Sequence, residues 1–128
     1  MSTRYNPSIV RDNIVQYLDA ANTKSYPGSG TTWIDMSSRN RDGTLTNGPT
    51  FSTDNLGCFN FDGSNDYVDL NFVFTQASSA NSYTVVVAAK LSSTSTSRRQ
   101  IFACDSGGFD WSFGAGDNGN FIIFTGSG

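Results

Sequence analysis

The most informative run of residues in this chain is Cys58-Phe59-Asn60-Phe61-Asp62-Gly63-Ser64-Asn65-Asp66-Tyr67-Val68-Asp69-Leu70. Its two ends are aromatic or aliphatic, and its centre is a cluster of residues that tolerate positive φ or cap their own backbone. The pattern predicts two short strands joined as a hairpin-like unit. Phe59 and Phe61 would face one way, and Tyr67 would join them across the turn, as at the edge of a half-buried sheet. The run therefore indicates an all-β sandwich.

Composition supports the same fold class. A chain of 128 residues is long enough for one domain with a core, although a large two-sheet sandwich would strain that length. Every acidic residue is Asp, and Lys, Leu and Met are few, so little helix-forming material lies beyond the first twenty residues. We expect an N-terminal arm over residues 1–12 and one β-sandwich domain over residues 13–128.

The charge and the termini exclude several classes of function. A net charge of −3 provides no basic surface for nucleic acid. No segment is long and apolar enough to be inserted in a membrane, and the first residues lack the apolar core of a signal peptide. Cys58 and Cys104 could form one disulfide, but the missing signal favours two reduced, half-buried thiols.

The absence of two residue types bears on catalysis. Without His, the chain cannot build the Ser-His-Asp or Cys-His pairs that activate a nucleophile. Without Glu, only Asp could supply both carboxylates of a glycosidase, which would have to lie about 5–10 Å apart in a cleft. We therefore expect the protein not to be an enzyme.

The strongest predicted strand covers residues 82–91. Its sequence is β-branched and nearly continuous, as in a central strand buried on both faces. Residues 100–104 are expected to pair with it. The other predicted strands are residues 13–20, 43–45, 109–113 and 121–124. For residues 13–20, a short helix is the alternative.

Several motifs occur in an order that carries further information. They are Leu18-Asp19-Ala20-Ala21-Asn22, Ser25-Tyr26-Pro27-Gly28-Ser29-Gly30-Thr31-Thr32-Trp33, Asp35 with Ser37, Asp42-Gly43-Thr44-Leu45-Thr46-Asn47-Gly48-Pro49, Phe61-Asp62-Gly63-Ser64-Asn65-Asp66-Tyr67-Val68, and residues 83–91 followed by Gln100-Ile101-Phe102. Together, over about residues 13–125, they resemble LamG-like (laminin G, concanavalin A-like) jelly-roll domains. The resemblance implies a two-sheet antiparallel jelly-roll sandwich. Because such domains usually continue for several more strands, it also implies either a fold abbreviated at the C-terminus or sheets that neighbouring chains complete.

The sequence of the second motif is most similar to that of LamG-type domains in tailed-phage structural proteins. The resemblance thus implies a non-enzymatic virion protein that decorates the capsid or is associated with the tail or a fibre. Its partners would be other virion proteins and further copies of itself, in a homo-oligomer. The alternative is a lectin-like module that binds host-surface glycans with the help of calcium. Glycan-hydrolysing members of the wider superfamily rely on a cluster of glutamates, which this chain lacks.

Two groups of residues are candidate calcium ligands, although no cofactor is expected. Calcium takes six to eight oxygen ligands from carboxylates, carbonyls and water. One tight turn offers Asp62, Asn65 and Asp66, and the resemblance to calcium-binding relatives points to Asp105 and Asp110. The alternative for both groups is that these residues only build turns.

Two tryptophans are candidate platforms for a sugar ring. Trp33 lies beside a Gly-rich loop, and Trp111 lies between Asp110 and Ser112 in a predicted strand. A glycan site needs an exposed aromatic ring beside polar groups. The alternative is that both rings belong to the core of the sandwich.

Overall fold

The chain is essentially all-β. A computed structural model describes its antiparallel strands and a single 3-10 turn. No helix in the described part is long and apolar enough to cross a membrane. Contacts divide the chain into two compact units, Met1–Phe72 and Val73–Gly128. The described residues are 12–71, 84–91, 99–106, 109–116 and 120–127, so the predicted N-terminal arm lies outside them except for its last residue.

The first unit contains two small antiparallel sheets. One has three strands in the order β1-β2-β5, and the other pairs β3 with β4. A 3-10 turn at Asp54–Leu56 connects β3 to β4. The strands are β1 (Thr32–Trp33), β2 (Gly43–Thr46), β3 (Thr50–Ser52), β4 (Cys58–Asn60) and β5 (Tyr67–Asp69).

The predicted hairpin around residues 61–66 is wrong, although both of its strands form. Strand β4 pairs with β3, which places Phe59 opposite Phe51, and β5 pairs with β2, which places Val68 opposite Leu45. The connections before and after β4, residues 53–57 and 61–66, are nearly equal in length, so loop closure does not decide this pairing; the observed pairing places β4 and β5 in different sheets. The Asp-rich turn therefore carries the chain from one sheet to the other.

The prediction for residues 43–45 is confirmed by β2, but the prediction for residues 13–20 is wrong. Residues 13–20 form neither a strand nor a helix. Their backbone groups bond instead to loops, since the amide of Tyr17 donates to the Asp35 carboxylate and its carbonyl accepts from the amide of Met36. A segment satisfied in this way has no need of a strand neighbour.

The second unit contains one antiparallel sheet in the order β6-β7-β8. The strands predicted at 109–113 and 121–124 are confirmed and run somewhat further. A register shift places Gln100 opposite Gly114 but Phe102 opposite Phe113, so the bulge between them turns the two side chains to different faces. The strands are β6 (Arg99–Ser106), β7 (Phe109–Ala115) and β8 (Phe121–Ser127).

The strongest predicted strand is wrong where the structure describes it. Residues 84–91 form no strand, and Val86 is 89% exposed. Residues 100–104 pair with β7 rather than with this segment. Strand propensity measures how well a side chain packs against neighbouring strands, so a β-branched sequence without such neighbours stays unpaired. Residues 82–83 lie outside the described part.

Candidate functional site

The most densely bonded side chain in the described structure is Asp35, which is only 5% exposed. Its Oδ1 accepts hydrogen bonds from the backbone amides of Tyr17 at 2.7 Å and Ser37 at 2.9 Å. Its Oδ2 accepts from the hydroxyl of Ser37 at 2.6 Å and from the amide of Arg41 at 2.9 Å. The Asp35 amide donates to the carboxylate of Asp42 at 2.8 Å. One carboxylate therefore ties three separate segments of the first unit together.

These bonds set the charge of Asp35. Burial alone would raise the pKa of its carboxyl, but the hydrogen bonds from the Ser37 hydroxyl and from the amides of Arg41, Tyr17 and Ser37 outweigh burial and lower it. The carboxylate thus stays ionised, with two hydrogen bonds on each oxygen. It is committed to the fold and has no proton to donate to a substrate.

A second buried group extends this arrangement. The Ser25 side chain is fully buried; its hydroxyl donates to the carbonyl of Ile34 at 2.6 Å and accepts from the amide of Asp19 at 3.1 Å. The Ile34 amide in turn donates to the Ser25 carbonyl at 2.8 Å. We call Asp35, Ser25 and their bonded partners the Asp35 network. This network links residues 17–19 to residues 34–41, although neither segment is part of a strand.

Beside this network lies an aromatic cluster. The ring of Phe59 contacts those of Tyr26 at 4.7 Å and Trp33 at 4.8 Å in edge-to-face geometry, and that of its cross-strand neighbour Phe51 at 5.8 Å. The Trp33 indole N–H is buried and has no hydrogen-bond partner. One of the two predicted sugar platforms is thus packed against Phe59, with its polar atom turned away from solvent. The cluster consists of Tyr26, Trp33, Phe51 and Phe59.

The first candidate calcium turn is brought together as the sequence suggested. Asp66 accepts a hydrogen bond from the Asp62 amide at 3.1 Å, and Asp62 accepts one from the Ser64 amide at 2.7 Å. The carbonyl of Asn65 accepts from the Asn47 side chain at 2.7 Å. Both carboxylates therefore accept amides of the turn that contains them. This is the alternative to calcium binding, in which these residues build the turn.

The second candidate group lies at the end of the hairpin between β6 and β7. The register places Asp105 directly opposite Asp110, and Trp111 opposite Cys104. The side chains of Asp105, Asp110 and Trp111 lie outside the described part, so their roles stay predictions. The thiols of Cys58 and Cys104 are half-buried, as expected.

Within the described ranges, no group of three or more His, Cys, Asp or Glu residues could hold a metal ion. The two carboxylates of the Asp62 turn fall short of the six to eight oxygens that calcium needs, unless carbonyls and water supply the rest. The described carboxylates of Asp35, Asp62 and Asp66 accept hydrogen bonds within loops. The rings of the aromatic cluster pack against one another.

Sequence reasoning missed the role of Asp35. The signal was present, because an Asp two residues before a Ser is typical of a turn in which the carboxylate accepts the following amides. What the sequence could not show is the long-range partner, the amide of Tyr17, 18 residues earlier.

Comparison of the chain with protein-family models, curated proteins and solved structures found no match. The resemblance to LamG-like domains therefore rests on the motifs themselves.

Proposed function

We propose that this chain is a non-enzymatic structural protein of a tailed-phage virion, in which it decorates the capsid or is associated with the tail or a fibre. It would act through protein–protein contacts, with other virion proteins and further copies of itself as partners. Its fold would be a jelly-roll sandwich of the LamG-like kind, and it would need no cofactor.

The observation that carries this proposal is the apolar surface of the second unit. Phe121 and Ile123 are 67% and 68% exposed on β8, which lies at the edge of its sheet among the described strands. Isolated exposed apolar residues are common, but two of them on an edge strand offer a surface that another chain can cover. A protein whose role is assembly would need such a surface.

The chemistry of the first unit supports the same proposal. Its most buried carboxylate, Asp35, is held ionised by four hydrogen bonds and serves the fold. The carboxylates of Asp62 and Asp66 accept amides of their own turn. Carboxylates used in this way stabilise loops, which is compatible with the structural role proposed here.

The alternative, a lectin-like module with calcium assistance, is less well supported by the described side chains. A sugar platform needs an exposed ring, often with a polar atom that can reach the sugar. The indole N–H of Trp33 is buried, and its ring contacts Phe59.

Mass spectrometry of virions purified from the phage that encodes this chain tests the proposal. We expect its peptides at a fixed copy number relative to the major capsid protein. Virions without the chain would overturn the proposal. Binding of the purified chain to a glycan array, abolished by EDTA, would instead favour the lectin-like alternative.

A further inference from the structure

The two edges of the sheet in the second unit differ in how they are protected. Natural edge strands are usually guarded by charges, prolines or bulges that prevent pairing with other chains. Strand β6 has a bulge after Gln100 and contains Arg99 and Asp105. Strand β8, Phe-Ile-Ile-Phe-Thr-Gly-Ser, has no charge, no proline and an unbroken register with β7. Among the described strands, the β8 edge is therefore the one open to a further strand.

Exposed side chains accompany this open edge. Phe121 lies opposite Ala115, and Ile123 lies opposite Phe113, so both point to the same face of the sheet. On that face the ring of Phe113 contacts Phe121 at 6.1 Å and stacks on Phe102 at 5.6 Å. An apolar row thus crosses the sheet and ends, largely exposed, at β8.

We infer that β8 pairs with β8 of a second copy of this chain, antiparallel and around a two-fold axis perpendicular to the sheet. Such an axis makes one continuous sheet of six strands, β6-β7-β8 followed by β8-β7-β6 of the second copy. With the axis at Ile122, Phe121 of each copy lies opposite Ile123 of the other on one face. The backbone groups that each β8 turns to solvent would then bond to each other.

A second copy fits this edge better than an unrelated partner for two reasons. A two-fold contact needs a self-complementary patch, and an uncharged strand meets its own copy without repulsion although each chain carries a net charge of −3. The exposed side chains described on this strand, Phe121 and Ile123, are also both apolar, so they match their own copies.

The expected contact is small. A Phe side chain can bury on the order of 200 Å², so two Phe and two Ile side chains that are each about two-thirds exposed supply a few hundred Å². Stable specific interfaces bury roughly 1,200–2,000 Å². We therefore expect a reversible dimer whose population depends on concentration. The role of this weak contact in a virion rests on the proposed assembly function. Copies of the chain held next to each other on a particle would have a high local concentration, which favours the dimer.

Analytical ultracentrifugation of the full-length chain over a wide concentration range tests the contact. We expect a reversible monomer–dimer equilibrium. Ile123→Lys places a charge beside its own copy and removes buried apolar surface, so it should weaken dimerisation at least tenfold. Leu56→Lys is the matched control, since Leu56 is 88% exposed in the first unit, and it should leave dimerisation unchanged.

Amide hydrogen exchange of the wild-type chain supplies a readout that needs no variant. In the monomer, alternate amides of β8 bond to β7 and are protected, and the amides between them point outward. We expect the outward amides to gain protection only as concentration rises. A monomer at all concentrations, outward amides protected independently of concentration, or Ile123→Lys dimerising as tightly as wild type would overturn the inference. Each of these results is obtained on purified protein, so it is distinct from a failure to find the chain in virions.

Discussion

Among the described residues, no strand of the first unit is longer than four residues, whereas the strands of the second unit run for seven or eight. The first unit compensates with side chains that bond to its backbone, centred on Asp35 and Ser25. The second unit relies on a long ladder between β6, β7 and β8. The composition differs accordingly, since 8 of the 11 Asp and 9 of the 12 Asn residues lie in the first unit, whose loops are bonded by side chains.

The difference also appears in the backbone. Asparagine tolerates the left-handed backbone region better than most residues. Among the described residues, every asparagine in that region belongs to the first unit. They are Asn13, Asn40, Asn47, Asn55 and Asn71. Short strands need many turns, and each turn needs a residue that accepts positive φ.

The largest expected effect is in the second unit. A Cβ on Gly114 would overlap the backbone carbonyl oxygen of Arg99 in the neighbouring strand. Because backbone on a paired strand cannot swing aside, Gly114→Ala should cost about 4 kcal/mol or more and disrupt the β6–β7 ladder. Urea unfolding followed by circular dichroism measures this loss.

Gly63→Ala is the control for that substitution. Gly63 has a φ of +76°, but no atom lies within 4 Å of the added Cβ, so the cost should be only the 1–2 kcal/mol of a left-handed alanine. If Gly114→Ala were as mild as Gly63→Ala, the tight β6–β7 approach would be refuted.

The next effect concerns the first unit. Asp35→Asn keeps the shape of the side chain but replaces one acceptor oxygen with an NH₂ group that faces amide donors. Leaving buried donors unpaired should cost about 3 kcal/mol. The fluorescence of Trp33 during urea unfolding, in a Trp111→Phe background, reports on this unit.

Asp54→Asn serves as the control for Asp35→Asn, because Asp54 is exposed, and it should change stability by less than about 0.5 kcal/mol. Equal losses from the two substitutions would show that the Asp35 network does not stabilise the unit.

Lowering the pH should remove part of the unfolding free energy that Asp35→Asn removes. Because the folded pKa of Asp35 is lowered below its ordinary value of 3.8, the folded state binds fewer protons than the unfolded state near that pH. The stability from this group is therefore complete above about pH 4 and is lost as pH falls through the folded pKa. The difference in unfolding free energy between wild type and Asp35→Asn should shrink in that range; a constant difference would contradict the assignment.

The smallest effect is expected at a single turn. Asn47 has a φ of 65°, and its side chain donates to the carbonyl of Asn65 at 2.7 Å. Asn47→Ala loses an exposed bond and places alanine where asparagine is better tolerated, at about 1–2 kcal/mol in total. Asn47→Gly relieves the strain and should recover part of that loss in thermal unfolding. If the two variants were equally destabilised, only the hydrogen bond would matter.

The sequence predicted some parts of this fold well and others poorly, for identifiable reasons. Residues 109–113, which alternate aromatic with polar side chains, and residues 121–124, which are apolar, form the predicted strands because each has a strand beside it. The more strongly β-branched residues 84–91 form none, since propensity does not supply a neighbour. The turn at Asp62 was found from its residues, but the sheets it connects depend on long-range pairing that no local pattern contains. The Asp35 network was missed for the same reason.

Residue-resolved hydrogen exchange of Asp35→Asn against wild type is the most direct test of the comparison between the two units. If loop bonds stabilise the first unit and a ladder stabilises the second, the amides of Tyr17, Ser37 and Arg41 should lose protection together. The amides of β7 that bond to its neighbours should keep theirs. Equal loss of protection in β7 would contradict the account, because it would show one cooperative structure rather than two differently stabilised units.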